Sequence, residues 1–258
     1  MIKNRKWFFT GLVVVNILLS LGAQAAPPAP TDLAKGTEPG LFLRAFKDIS
    51  GATLLAETGG VDETDGRNYR EVTLGAYHDI LPIFTIGGFY RRAYGLRHDN
   101  DWQSINGRWS WADSNSRGED FLILDATAKF LVQGLPVRNA TAELKSRLLH
   151  DFLNGDETLM LRPGLTLFWL KNELPFMNVF LQYEFDLPLN YGHRSVNERW
   201  LYLGALYRIA RDIDFGGFFA DKWQAWSNAS AYDNKGGAPF TETAESEVVS
   251  ALLIWHVN

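Results

Sequence analysis

The sequence predicts an all-β fold, a transmembrane antiparallel up-and-down β-barrel of ten strands. Three observations carry this. Apolar residues recur at every second position through most of the chain, the alternating runs are long, and short and long connections alternate between them. Period-two alternation gives a strand one apolar and one polar face. The runs reach roughly 10–14 residues, where strands of soluble sandwiches usually stop near 5–6. About 9–11 tilted residues cross the hydrocarbon of a bilayer.

The chain opens on an address. Met1 to Lys6 carries Lys3, Arg5 and Lys6, an apolar run follows from Trp7 to Gly22, and Ala23-Gln24-Ala25 ends it. A basic start, a short apolar run and a small-x-small site make a secretory signal peptide, with cleavage after Ala25. The expected compartment is the outer membrane of a Gram-negative bacterium. Losing the three basic residues turns the formal charge of −5 into −8. Residues 26–40, APPAPTDLAKGTEPG, are rich in Pro, Gly and Ala and read as a disordered periplasmic lead-in.

Residues 41–258 form the barrel. Leu122, Leu124, Ala126, Ala128 and Phe130 make one face of a strand, with Asp125, Thr127 and Lys129 on the other. Leu159, Leu161, Leu165, Leu167 and Trp169 repeat the pattern, as do Val179 to Phe185, Leu201 to Ile209 and Val249 to Val257. Short turns at Leu81-Pro82, 134–136, 171–175 and Arg211-Asp212 alternate with longer polar loops, as in barrels with short periplasmic turns and long outer loops. With that parity the strands fall near residues 41–48, 69–80, 83–97, 120–132, 136–149, 157–170, 177–188, 199–210, 213–226 and 246–257, with both chain ends periplasmic. Residues 51–58 and 105–112 supply the alternative count of twelve. Aromatic residues near strand ends, Tyr90, Tyr94, Trp169, Trp200, Tyr202, Trp223, Trp226 and Trp255, suit interfacial girdles.

Composition excludes several functions. There is no cysteine, so thiol catalysis, disulfide scaffolds and iron–sulfur clusters are out. A mean hydropathy of −0.14 rules out a polytopic helical membrane protein. An acidic chain lacks the basic stripe that nucleic acid requires. His78, His98, His150, His193 and His256 show no metal-ligand spacing, and no phosphate-binding glycine loop occurs, so no cofactor and no metal is expected.

With the apolar face outward, the lumen receives Arg91, Lys129, Lys145, Arg147, Arg162, Arg208 and Lys222. Against them stand Glu71, Asp79, Asp125, Glu143, Glu184, Asp186 and Asp214. This balance predicts paired charges filling a narrow lumen, because a selective lining would be single-signed. Arg91, Arg162, Glu184, Asp186 and Arg208 are the residues expected at a constriction. Trp102, Trp109 and Trp111 lie in an outer loop among Asp, Asn and Ser, where aromatic faces stack on sugar rings or anchor a rim in lipopolysaccharide.

At this point the chain, from Leu41 to Asn258, resembles the small bacterial outer-membrane β-barrels. The stretch from Arg162-Pro163-Gly164-Leu165 to Arg208 is similar to narrow oligosaccharide porins and related barrels. The resemblance implies a monomer set in outer-membrane lipid and lipopolysaccharide, inserted by the barrel-assembly machinery, with a saccharide as possible ligand. Such barrels usually end on an aromatic residue, whereas this chain ends Trp255-His256-Val257-Asn258. His193 and Ser195 resemble the His-x-Ser pair of outer-membrane phospholipases and lipid A deacylases. That resemblance implies Ser195 as nucleophile and His193 as base, with Asn197 or Glu198 orienting. The phospholipases continue with Asn-Gly where this chain has Val196-Asn197, and the plain alternative is a polar loop with incidental His and Ser. The expected function is a narrow channel or surface-binding barrel for a small polar or sugar-like solute. The alternatives are a lipid hydrolase on His193 and Ser195 and a structural barrel of an exopolysaccharide export system.

Overall fold

The computed structural model describes residues 36–63, 68–96, 102–105, 108–111, 118–132, 139–172, 174–191, 196–227 and 241–257. Thirteen strands occur there and no helix. Eleven close into a barrel: β1 (Thr37–Ile49), β2 (Ala52–Asp62), β3 (Asn68–Leu81), β4 (Phe84–Tyr94), β7 (Gly118–Val132), β8 (Ala140–Asp151), β9 (Glu157–Lys171), β10 (Leu174–Pro188), β11 (Glu198–Ala210), β12 (Ile213–Ser227) and β13 (Thr241–Val257). The other two, β5 (Trp102–Ile105) and β6 (Arg108–Trp111), form a separate hairpin in the connection between β4 and β7.

All ten expected strands are present, but the barrel has eleven, not ten or twelve. The eleventh is β2. Its Gly59-Gly60 and acidic residues read locally as loop, yet Leu55, Glu57 and Val61 alternate inward against β1 and β3. The second optional segment stays out of the wall as part of the β5–β6 hairpin. β1 starts at Thr37 and so takes in the last residues assigned to the lead-in.

An odd number of up-and-down strands has two geometric consequences. The first and last strands must pair in parallel, and β1 does so with β13 from Thr37 opposite Glu247 to Lys47 opposite Val257. The two chain ends must also leave at opposite ends of the barrel, which corrects the expectation that both lie on one side. Thr37 lies at the end that carries the connections 63–67, 95–117, 152–156, 189–197 and 228–240, the loop end. Val257 lies at the end that carries Ser50-Gly51, Pro82-Ile83 and Arg211-Asp212, the turn end.

The register fixes the barrel's shape. A circuit of paired residues runs Ile49, Ala52, His78, Ile86, Ala126, Ser146, Leu161, Phe185, Arg199, Trp223, Glu245. Glu245 is level with the position two residues before Thr37, so the circuit returns to β1 about 14 residues below its start. With ~3.3 Å per residue and ~4.8 Å between strands, this stagger tilts the strands by about 40° and gives a backbone radius of about 11 Å.

Pleating then divides the wall. Leu41, Leu74, Leu124, Leu181, Leu203, Phe219 and Val249 are among the outward residues that remain exposed. Between the rims, a band about 20 Å tall contains no charged side chain among the described outward residues. Arg70, Arg92, Asp120, Asp221 and Glu247 bound it on the loop side, and Lys47 and His78 on the turn side. Inside, Leu55, Phe89 and Ile123 form one apolar cluster and Val61, Ala220 and Val248 another. Phe42 and Phe89 reach these clusters by lying over Gly59 and Gly75 of the neighbouring strand, and Phe180 lies over Gly204 in the same way. A side chain at any of these glycines would collide with the ring.

The short turns use left-handed backbone where a two-residue hairpin demands it. Ser50 and Gly51 have φ of 38° and 89° between the paired Ile49 and Ala52, the pattern that matches the twist of the flanking strands. The division of faces is testable on β7. Ile123→Ala should lower unfolding free energy in detergent by about 2–4 kcal/mol, because Ile123 is fully buried. Leu124→Ala, one residue on and exposed, should cost less than about 1 kcal/mol. Urea titration compares the two.

Candidate functional site in the barrel lumen

The inward face of the wall carries many charges, arranged by register into connected groups. On β1–β4, Arg44 bonds Glu57, and Arg91 Nε lies 3.0 Å from Glu71 Oε2 and 3.1 Å from Thr73 Oγ1. Tyr69 donates its hydroxyl to the same Glu71 carboxylate. On β7–β8, Asp125 is fully buried and holds two cations, Arg147 at 3.1 Å and Lys145 at 3.5 Å, and also accepts from Thr127 at 3.0 Å. On β9–β11, Arg162 Nη1 reaches Glu184 at 3.2 Å, Tyr202 donates to Glu184 at 3.3 Å, and Gln182 donates to Glu143 at 2.9 Å.

These groups face each other across the lumen. Arg91 on β4 is within Coulombic reach of Glu184 on β10, as is Arg162 on β9 of Tyr77 on β3. Lys145 stands directly opposite Arg162 across the β8–β9 ladder, two like charges at a paired position. Aromatic faces line the spaces between: Lys145 lies 5.5 Å from the Tyr77 ring centre, Arg147 6.0 Å from that of Phe89, and Lys222 5.0 Å from that of Trp200. Such contacts stabilise cations that have lost part of their hydration.

The inward side chains are not equally buried. Asp125, Glu71 and Lys222 are almost sealed. The cations Lys145, Arg91 and Arg162 keep some solvent contact, 13%, 16% and 19%. Lys145, Arg147, Arg162, Gln182 and Glu184 form a strip of half-buried polar side chains along β8–β10.

Of the residues expected at a constriction, Arg91, Arg162, Glu184 and Asp186 lie in one cross-lumen network. Arg208 does not join them. It sits at the turn end, bidentate to Asp214 at 2.8 and 3.1 Å, with His256 on the same carboxylate at 3.0 Å. Arg44, Glu57 and Gln182 belong to the network and were not singled out in the sequence, and Tyr202, expected with Trp200 in an interfacial girdle, points inward and joins it. Inward parity on their strands was the available signal. The expected balance of charge also fails. Glu38, Glu57, Glu119, Asp151 and Glu198 point inward as well, while Arg44 is the added cation, so the lining is acidic in excess.

His193 and Ser195 lie outside the described residues. Asn197 is described: its backbone N–H donates to the Asp186 carbonyl at 3.1 Å. Nearby, Tyr191 meets Thr158 hydroxyl to hydroxyl at 2.7 Å, and burial pushes its phenol up to about 12, so it stays neutral. The tryptophans Trp102, Trp109 and Trp111 fall in the β5–β6 hairpin. Its register sets Trp102 opposite Trp111 and Ser104 opposite Trp109, which puts all three tryptophan positions on one face of the hairpin.

No family model matches the chain, and no curated protein matches it.

The buried carboxylate of Asp125 is the group on which two cations depend. Asp125→Asn should destabilise the barrel by about 3–5 kcal/mol, because Arg147 and Lys145 are left buried and uncompensated. Adding Lys145→Met should recover part of that loss. Thermal unfolding in detergent gives both values, and a neutral Asp125→Asn would show that the cations find other partners.

Proposed function

We propose that the chain is an outer-membrane β-barrel whose charged lumen is a narrow passage for a small polar solute. One observation carries this: an uncharged outer band surrounds a wall whose inner face is charged throughout its length. In water the band would expose large apolar side chains on every strand. In a bilayer the same band contacts hydrocarbon, and the ladder closes on itself with no open sheet edge in the wall. Tyr90, Tyr94 and Trp223 at the loop rim and Trp255 at the turn rim suit headgroup level. The basic start and small-x-small site of residues 1–25 supply export, and lipid and lipopolysaccharide follow as surroundings.

The short turns belong on the periplasmic side in this reading, so the segment before β1 emerges with the long loops. The chain has no cysteine, which makes single substitutions clean reporters. In intact cells Thr37→Cys should react with a membrane-impermeant maleimide, and Arg211→Cys should react only after permeabilisation. The reverse pattern would invert the barrel.

In planar bilayers the purified protein should give discrete small conductance steps, and Arg162→Ala should change their size and ion preference. Silent membranes would sink the passage. An unchanged Arg162→Ala channel would remove Arg162 from its narrowest part.

A second reading has its own observation. The register puts the Trp102, Trp109 and Trp111 positions on one face, and Asp99, Asn100, Asp101 and Asp113 are close to them in sequence, a composition suited to a hydroxyl-rich glycan. If the hairpin captures saccharide, replacing all three tryptophans by alanine should abolish retention on a glycan array while conductance persists. Equal retention by the triple variant excludes the hairpin as the capture surface.

A further inference from the structure

We propose that Lys145 and Arg162, directly opposed on β8 and β9, hold an oxyanion in the middle of the lumen, the carboxylate or phosphate group of a small solute. The site deepens the passage reading by naming the group that the solute carries. Its occupancy is measurable whether or not the barrel conducts.

Two cations at a directly paired position of a ladder repel. The β8–β9 register puts Lys145 and Arg162 at such a position. Arg147, two residues along β8, adds to the repulsion on Lys145. Both cations address the same facing wall. The Lys145 ammonium lies 5.5 Å from the ring centre of Tyr77 on β3, and Arg162 is within Coulombic reach of the same tyrosine. They therefore share one space, bounded by Tyr77.

The carboxylates around them are committed elsewhere. Asp125 Oδ2 accepts twice from Arg147, at 3.1 and 3.2 Å, and Oδ1 accepts from Thr127 at 3.0 Å. Lys145 comes third to Oδ2, at 3.5 Å, longer than a charge-assisted hydrogen bond. Glu143, two residues before Lys145, folds over Gly164 instead, where Gln182 holds it at 2.9 Å. Glu184 accepts from Arg162 Nη1 at 3.2 Å and from Tyr202 at 3.3 Å. Among the described residues Arg162 makes that hydrogen bond alone, and its Nε is sealed from solvent without a partner. An ammonium has three donors and a guanidinium five, so most of the donors at this position lack a good acceptor. The carboxylates beside them, by contrast, have their donors. The local shortage is of acceptors, although the lining as a whole is acidic.

Cations held out of water without full hydrogen bonding cost free energy. An oxyanion between Lys145 and Arg162 supplies the missing acceptors and cancels the repulsion. The guanidinium fork matches the paired oxygens of a carboxylate or phosphate, and the ammonium adds a point charge beside it. Both side chains keep some solvent contact, so neither cation is sealed.

The test uses the full chain in detergent. Thermal unfolding is followed in sodium acetate and in sodium phosphate, one probe for each oxyanion class, with sodium chloride at equal ionic strength as control. A ligand of the folded state raises the melting temperature. Wild type should melt higher in at least one probe than in chloride, and the effective probe identifies the class. Lys145→Gln with Arg162→Gln should bind that probe more weakly by about tenfold or more. Stabilisation by salts excluded from the protein surface acts on both proteins alike. An equal response in the double variant therefore overturns the site. No response of wild type to either probe overturns it too. If the double variant does not fold, Lys145→Gln alone carries the comparison, because Asp125 keeps Arg147 and Thr127. Reversal potentials in a KCl gradient separate this site from the passage. An anion preference that falls in the variant supports both, and silent membranes with intact probe binding remove the passage alone. Conduction without any probe-dependent stabilisation removes the oxyanion site alone.

Discussion

An inner strand of a sheet has its backbone amides paired on both sides, whereas the first and last strands have that only if they find each other. Here they meet in parallel, β1 against β13 over eleven register positions. That seam removes the two edges that would otherwise expose unpaired N–H and C=O groups. It also fixes the stagger, and the stagger with the strand number fixes tilt and radius. A one-residue slip at the seam would turn Glu38, Phe42 and Arg44 outward and Leu41 and Leu43 inward, exchanging charge for hydrocarbon on both faces. The division into an uncharged outer band and a charged inner wall therefore reinforces the closure that produces it.

A radius of about 11 Å leaves more space than inward side chains of average size fill, since about eight strands already suffice for a packed interior. Two solutions are combined. Around β2–β7 and β11–β13 aromatic and aliphatic residues pack into clusters, with glycines placed opposite Phe42 and Phe89 to make room. Along β8–β10 long charged side chains take the place of apolar packing and remain half-buried. Asp125 ties the halves together: it belongs to the packed side by burial and to the polar side through Arg147 and Lys145.

The charge pattern along the axis follows from the same geometry. In mid-barrel each inward residue meets partners from neighbouring walls, and cations and anions neutralise one another. Nearer the loop end Asp186 and Glu198 face each other across the β10–β11 ladder. This lining is the physical setting for the proposed passage.

Period-two alternation is local, and it made ten of the eleven wall strands, their facing and the inward position of Arg91, Arg162, Glu184 and Asp186 legible without coordinates. β2 was legible only as the optional segment 51–58, because Gly59, Glu57 and Asp62 carry loop composition, and a strand's membership of a wall depends on neighbours that the segment itself does not encode. Evenness of strand number seemed a safe rule and failed for that one element. The placing of Arg208 failed differently: alternation gives the face of a residue but not its height, and height depends on a register summed around the whole barrel. The amino-acid order alone thus determined the β class, the two-faced strands and the set of inward charges, since each follows from contacts within one strand. Tertiary structure decided the odd count, the parallel seam, the opposite exits of the two chain ends and the partner of every inward charge. Those depend on a register that must close on itself, and no single strand contains that condition.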